Sequence, residues 1–190
     1  MSLWALTLEQ FRERTASRAP TPGGGSVAAV TGSFAAGLVV MAGEISRASA
    51  DSEPLAALVA DGRRLVAELA AHADADVAAF EGYMAALALP RASDAEKAAR
   101  KQAMARAAVA ASEAPLAAAT TMAEVLALAA RAEPLVKPSV LSDVLAGADL
   151  IRGALPAALR NVDVNLPFVG DDETRRRLAE RRDQLLRALR

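Results

Sequence analysis

The amino-acid sequence predicts an all-α fold, a multi-helix bundle of about seven helices in a single domain over residues 1–190. Three observations carry that expectation. Alanine, the residue of best intrinsic helix propensity, is abundant along the whole chain. Apolar residues recur at steps of three and four, and no segment of useful length alternates in the manner of a strand. Proline, glycine and capping residues cut the chain into helix-length pieces. A chain of 190 residues buries roughly 70% of the surface its unfolded form exposes, enough for one core without a disulfide or metal staple.

The first helix starts at Thr7, where Thr7 and Gln10 have capping-box spacing, and stops before Pro20. The run Pro20-Thr21-Pro22-Gly23-Gly24-Gly25-Ser26 is too rich in breakers for helix, and Ser26 suits the N-cap of a second helix over roughly residues 27–48. That helix is small and apolar nearly all round, through Ala28, Ala29, Gly32, Ser33, Ala35, Ala36 and Gly37, which places it at the centre with neighbouring backbones close by. Ser52 and Pro54 open a third helix to about Leu89, some 50 Å long at 1.5 Å per residue. Pro90 ends it, and Ser93 with Glu96 forms a second capping box. A fourth helix to about Ala111 and a fifth from Pro115 to about Ala132 follow. A sixth runs from about Ser139 to Asn161 or a little beyond, with a kink expected at Pro156. Asp171 or Asp172 caps the last, whose arginines face solvent while Leu178, Leu185, Leu186 and Leu189 turn inward.

Composition excludes several chemistries. There is no cysteine, so disulfides, thiol catalysis and cysteine-held metals are ruled out. His72 is the only histidine, which removes a two-histidine metal site and argues against a Ser-His-Asp triad. A net charge of −1 and 3% aromatic residues give no basis for a nucleic-acid partner. Val27 to Gly43 is apolar but interrupted by Thr31, Ser33 and glycines and closed by Glu44, so it reads as a buried helix rather than a membrane span. The N-terminus shows no signal-peptide pattern, and the cytoplasm is the expected compartment.

On the third helix, Leu65, Leu69, His72, Asp76, Phe80, Met84 and Leu87 fall on one inward stripe. A carboxylate in that stripe is costly to desolvate unless paired. Asp76 is therefore either a structural bridge to a neighbouring helix or a general acid or base. Asp74, about 200° around the helix, is expected to face elsewhere, in solvent. His72, one turn earlier, is either a partner for Asp76 or a half-buried histidine at the bundle edge. The glycines 23–25 ahead of a helix start either make a tight turn or bring backbone N–H groups to a ligand's carboxylate, carbonyl or phosphate. No Gly-Lys-Ser/Thr follows, and no strand precedes, so this is neither a Walker nor a dinucleotide loop. Asn161 and Asn165 share a face and either cap the helix end or read the edge of a heterocycle. Lys97, Arg100 and Lys101 either face solvent or receive a ligand's carboxylates.

Taken in order, these features resemble the formiminotransferase-cyclodeaminase C-terminal domain family, which includes stand-alone methenyltetrahydrofolate cyclohydrolases. The matching stretches are Ala19-Pro20-Thr21-Pro22-Gly23-Gly24-Gly25-Ser26-Val27-Ala28-Ala29, Asp74-Ala75-Asp76-Val77-Ala78-Ala79-Phe80 with Tyr83, Leu89-Pro90 with Glu96-Lys97, Ser142-Asp143, and Asn161-Val162-Asp163-Val164-Asn165-Leu166. The resemblance implies a homodimer with its site near the interface, and a folate substrate. It implies a reaction at the one-carbon bridge of tetrahydrofolate with no metal or other cofactor. Cyclohydrolases open 5,10-methenyltetrahydrofolate to the 10-formyl form, and cyclodeaminases close 5-formiminotetrahydrofolate with release of ammonia. The family's catalytic aspartate matches Asp76, and Pro22, Gly23, Gly24, Gly25, Ser26, Phe80, Lys97, Asp143, Asn161 and Asn165 are the implied substrate-binding positions. Two departures stand out: Ser46 to Glu53 lacks the basic Gly-Lys/Arg-Lys/Arg segment common in the family, leaving Arg47 as the nearby cation, and Asp163 adds a charge between the two asparagines. The missing segment motivates the competing expectation of a dimeric folate-binding or scaffold protein without catalysis.

Overall fold

The computed structural model describes residues 1–50 and 52–189. Among them the chain forms six α-helices: α1 (Leu8–Thr15), α2 (Gly24–Arg47), α3 (Glu53–Leu87), α4 (Asp94–Ala132), α5 (Leu141–Asn165) and α6 (Asp172–Arg187). The four long helices close a ring in which α2 and α4 each pack on both α3 and α5. That is a four-helix bundle, with α6 laid against α4 and α5. Its core is aliphatic, built on residues such as Leu58, Leu69, Leu116, Met122, Ile151 and Leu155, each essentially sealed from solvent. Each such side chain contributes about 1.5–3 kcal/mol on burial.

The small residues of α2 do what their size permits. A Cβ added at Gly147 of α5 would stand 2.8 Å from the Ala35 carbonyl oxygen of α2, so the two backbones meet with nothing between them. Both predicted capping boxes are present, at Thr7 with Gln10 and at Ser93 with Glu96.

The described residues form six helices rather than about seven because Pro115 does not start a new one. It lies buried inside the continuous α4. A proline within a helix leaves the carbonyl four residues earlier without its donor. Here that carbonyl belongs to Ala111, and the Asn165 Nδ2 of α5 donates to it at 2.8 Å. A side chain from another helix thus repairs the gap, and the helix runs through. Pro156 also lies within a continuous helix, α5.

Three local expectations are corrected. Ser26 is not the N-cap of α2: Gly23 holds that position, and Ser26 lies in the first turn with its hydroxyl engaged elsewhere. Asp74 is not a solvated residue: it accepts the Ser2 hydroxyl at 2.6 Å and the Leu3 backbone N–H at 2.7 Å, tying the N-terminal segment to α3. The Trp4 indole N–H, donating to the Ala70 carbonyl at 2.9 Å, ties it a second time. Finally, the inward stripe of α3 holds only as far as Phe80. Met84 and Leu87 are exposed, because this last stretch carries on into the α3–α4 turn, where few groups pack against it.

Two helices, Gly24–Arg47 and Asp94–Ala132, are long and apolar enough by composition to cross a membrane. Both belong to the bundle ring, where they build the core against α3 and α5.

Candidate active site

At one end of the bundle, the start of α2, the middle of α3 and the end of α5 surround a cleft of about 360 Å³. Asp76, Phe80, Asn161 and Asn165 line it together with Gly23 and Gly24. Pro22, Gly25 and Ser26 are buried immediately behind this lining. Most of the positions singled out in the sequence therefore converge on one place.

Asp76 is fixed from two sides. Its Oδ2 accepts the hydroxyl of Ser26 at 2.6 Å, and Ser26 is fully buried. Its carboxylate also lies directly against the backbone of Gly25, where an added Cβ would fall 2.0 Å from Oδ1. Gly25 thus makes room for the protein's own carboxylate. The first N–H groups of α2 have no intrahelical acceptor and carry the positive end of its dipole, which favours an anion there. Asp76 is half-buried, with one oxygen engaged by Ser26 and the group facing the cleft.

Across the cleft stand two amides. Asn165 is oriented by the Ala111 carbonyl, which accepts only a donor, so Nδ2 points there. Its Oδ1 takes no hydrogen bond among the described residues and is available as an acceptor. The Asn161 Nδ2 makes only long contacts, 3.4 Å to the Ala157 carbonyl and 3.3 Å to that of Ala158, so its amide can turn towards a ligand at little cost. Asp163, between them, pairs with Arg182 of α6 and adds no charge to the cleft lining.

Sequence reasoning missed part of this wall. Phe168, in the 3-10 turn Leu166–Phe168, lines the cleft and packs against Tyr83 with ring centroids 6.1 Å apart. Its signal was an aromatic residue three positions after Asn165 in a chain with very few aromatics. Two of the implied positions lie elsewhere. Lys97 lines a neighbouring hollow. Asp143 is in the first turn of α5, 18 residues from Asn161 and so about 27 Å away along the helix.

His72 does not pair with Asp76. Its Nε2 is 3.1 Å from the Thr121 hydroxyl of α4. Burial lowers its pKa below the ordinary value near 6.5, with the Glu68 carboxylate opposing that shift. The unfolded chain therefore binds its proton at a higher pH than the folded chain does. Stability from this residue is complete above about pH 6.5 and is lost as the pH falls through the folded value. His72→Gln is expected to flatten the decline in urea midpoint between about pH 7 and pH 5, and an unchanged pH profile would refute the assignment.

Residues 7–184 match the formiminotransferase-cyclodeaminase family. The chain belongs to that family. It is 38% identical over 101 residues to methenyltetrahydrofolate cyclohydrolase from Methylorubrum extorquens, a stretch that covers 50% of this chain and 47% of the relative. It is 29% identical over 170 residues to formimidoyltransferase-cyclodeaminase from Gallus gallus, covering 87% of this chain and 31% of the relative. The chain thus spans less than half the length of these relatives in the matched regions. The crystal structure of formiminotetrahydrofolate cyclodeaminase from Thermotoga maritima superposes with a TM-score of 0.87 at 24% identity, covering 99% of this chain and 92% of that one. At that identity the likeness establishes the fold.

Proposed function

We propose that this protein acts on the one-carbon bridge of tetrahydrofolate, as a 5,10-methenyltetrahydrofolate cyclohydrolase, with Asp76 as general acid and base. The observation that carries this reading is a carboxylate fixed by Ser26 and Gly25 and facing two amides across a cleft. The cyclohydrolase at 38% identity favours hydration over deamination.

The chemistry suits such a site. The methenyl bridge is an amidinium cation, and a carboxylate beside it is electrostatically complementary. In the forward direction water adds to the bridge carbon while Asp76 takes its proton. The bond from that carbon to N5 then breaks, with Asp76 returning the proton to N5 as the remaining hydroxyl proton goes to solvent. The product is the N10-formyl compound. Asn161 and Asn165 are the groups for the pterin edge, the Asn165 Oδ1 accepting and the Asn161 amide adapting. No metal or redox group is needed for this step, and the folate enters as substrate. Purified protein is expected to accelerate loss of the methenyl absorbance. Ammonia release from 5-formiminotetrahydrofolate without that acceleration would instead identify a cyclodeaminase, and binding without either reaction a non-catalytic folate binder.

We further infer a homodimer. Phe34, Met41 and Ile45 form an exposed apolar stripe along α2 at helical spacing, each about half accessible to solvent. Met41→Glu with Ile45→Glu is expected to convert a dimer to a monomer in light scattering, and a monomeric wild-type chain would sink the inference.

A further inference from the structure

Pro115 is buried in the interior of α4, where proline is the least favourable of all residues. It brings no backbone N–H, and its ring crowds the carbonyl four positions back. That carbonyl belongs to Ala111, which is half-buried and lines the Asp76 cleft together with Asn165. The proline therefore frees an acceptor at the edge of the site. The other proline within a helix, Pro156 of α5, frees the carbonyl of Arg152, an exposed residue that does not line the cleft.

The freed carbonyl takes the Asn165 Nδ2 at 2.8 Å. A side-chain amide has two orientations, related by a half-turn about its last torsion. The reversed one would set Oδ1 against the Ala111 oxygen, acceptor on acceptor. It would also leave a half-buried carbonyl without a donor, which is costly. An N–H at residue 115 would remove that second penalty, because the helix backbone would then satisfy the carbonyl whichever way the amide turned. The missing N–H and the single orientation of Asn165 are thus linked.

We infer, on the folate reading of this cleft, that Pro115 is a positioning residue: by withholding its N–H it locks the Asn165 amide with Oδ1 presented to the ligand, so that the site requires an N–H donor from the pterin at that point. A pterin edge carries donors and acceptors side by side, and a fixed acceptor selects among them. The defect in α4 is then a specificity device, and Asn165 does more than mend it.

The test is a double-mutant cycle over Pro115→Ala and Asn165→Ala, read as KM and kcat for methenyltetrahydrofolate and as Tm. Pro115→Ala is expected to raise KM about three- to tenfold, because the freed amide spreads over several rotamers and only a fraction of molecules stands ready to bind. Its kcat should change by less than about twofold, since the amide in the bound complex is the same. Its Tm should stay within a few degrees of wild type, the regained helix bond offsetting the smaller buried side chain. Asn165→Ala is expected to raise KM on the order of tenfold and to lower Tm by about 2–8 °C, as the Ala111 carbonyl loses its donor. Adding Pro115→Ala to it should restore most of that Tm and leave KM where Asn165→Ala put it. If the pair only mends the helix, Tm will show the coupling while Pro115→Ala leaves KM unchanged, which overturns the inference. KM effects that add in the double variant overturn it as well. Either result leaves the reading of the Asp76 cleft intact, whereas a wild type that neither binds nor turns over the folate overturns both.

Discussion

Asp76→Asn is expected to lower kcat by about 10²- to 10⁴-fold, the range attributable to a positioned general acid or base, while the protein stays folded. The substitution is nearly isosteric, and its amide oxygen still accepts the Ser26 hydroxyl, which Asp76 now takes at 2.6 Å. What it removes is the ability to bind and release a proton, and the negative charge beside the cationic bridge. Asp76→Ala makes a useful contrast. It leaves the fully buried Ser26 hydroxyl without its acceptor, at a cost of about 1–3 kcal/mol, so activity and stability fall together. In Asp76→Asn the two should separate, with kcat lost and Tm shifted by only a few degrees. Stopped-flow decay of the methenyl absorbance and a thermal melt decide it. A kcat near wild type would leave Asp76 as a structural residue only.

The sequence made Asp76 visible because helical periodicity is local: Leu69, Asp76 and Phe80 fall on one stripe whatever packs against it. It did not reveal what holds Asp76. Ser26 lies 50 positions away, and its place in sequence suggested a helix cap. Its hydroxyl instead donates to the carboxylate, and capping falls to Gly23. Pro115 shows the same limit in reverse. A proline is a local stop signal, and reading it so split one helix into two. The group that cancels the signal, the Asn165 amide on the Ala111 carbonyl, comes from 54 residues away. Asn165 was legible as a site residue, but its structural duty was not. The angle of Asp74 around the helix points it to solvent, a local geometry that is blind to the N-terminal segment that folds back to meet it. Composition and spacing could suggest an acid or base; the substrate class came from the resemblance of whole motifs.

Gly25→Ala is the second large effect, and it tests the site without touching a titratable group. An alanine Cβ there would lie 2.0 Å from the Asp76 Oδ1, 2.6 Å from Cγ and 2.9 Å from Oδ2. The whole carboxylate must move, by more than about 1 Å, and the hydrogen bond to Ser26 goes with it. A displacement of that size at a reacting group costs on the order of 10²-fold in rate. The backbone of α2 should tolerate the change, since no glycine among the described residues has positive φ and alanine favours helix by up to about 1 kcal/mol over glycine. A folded protein with poor turnover is therefore expected. Gly24→Ala makes the contrast: the nearest atom to its added Cβ is the Asn161 Nδ2 at 3.8 Å, with no atom of Asp76 in reach, so in this cleft-lining position its cost should appear in KM rather than in kcat. The decisive measurement is the double variant Gly25→Ala/Asp76→Asn. If Gly25 acts only by making room for the carboxylate, its substitution should cost little once Asp76 has lost its proton chemistry, and the two effects will fall well short of additive. Additive losses would mean that Gly25 serves the reaction by some route other than Asp76.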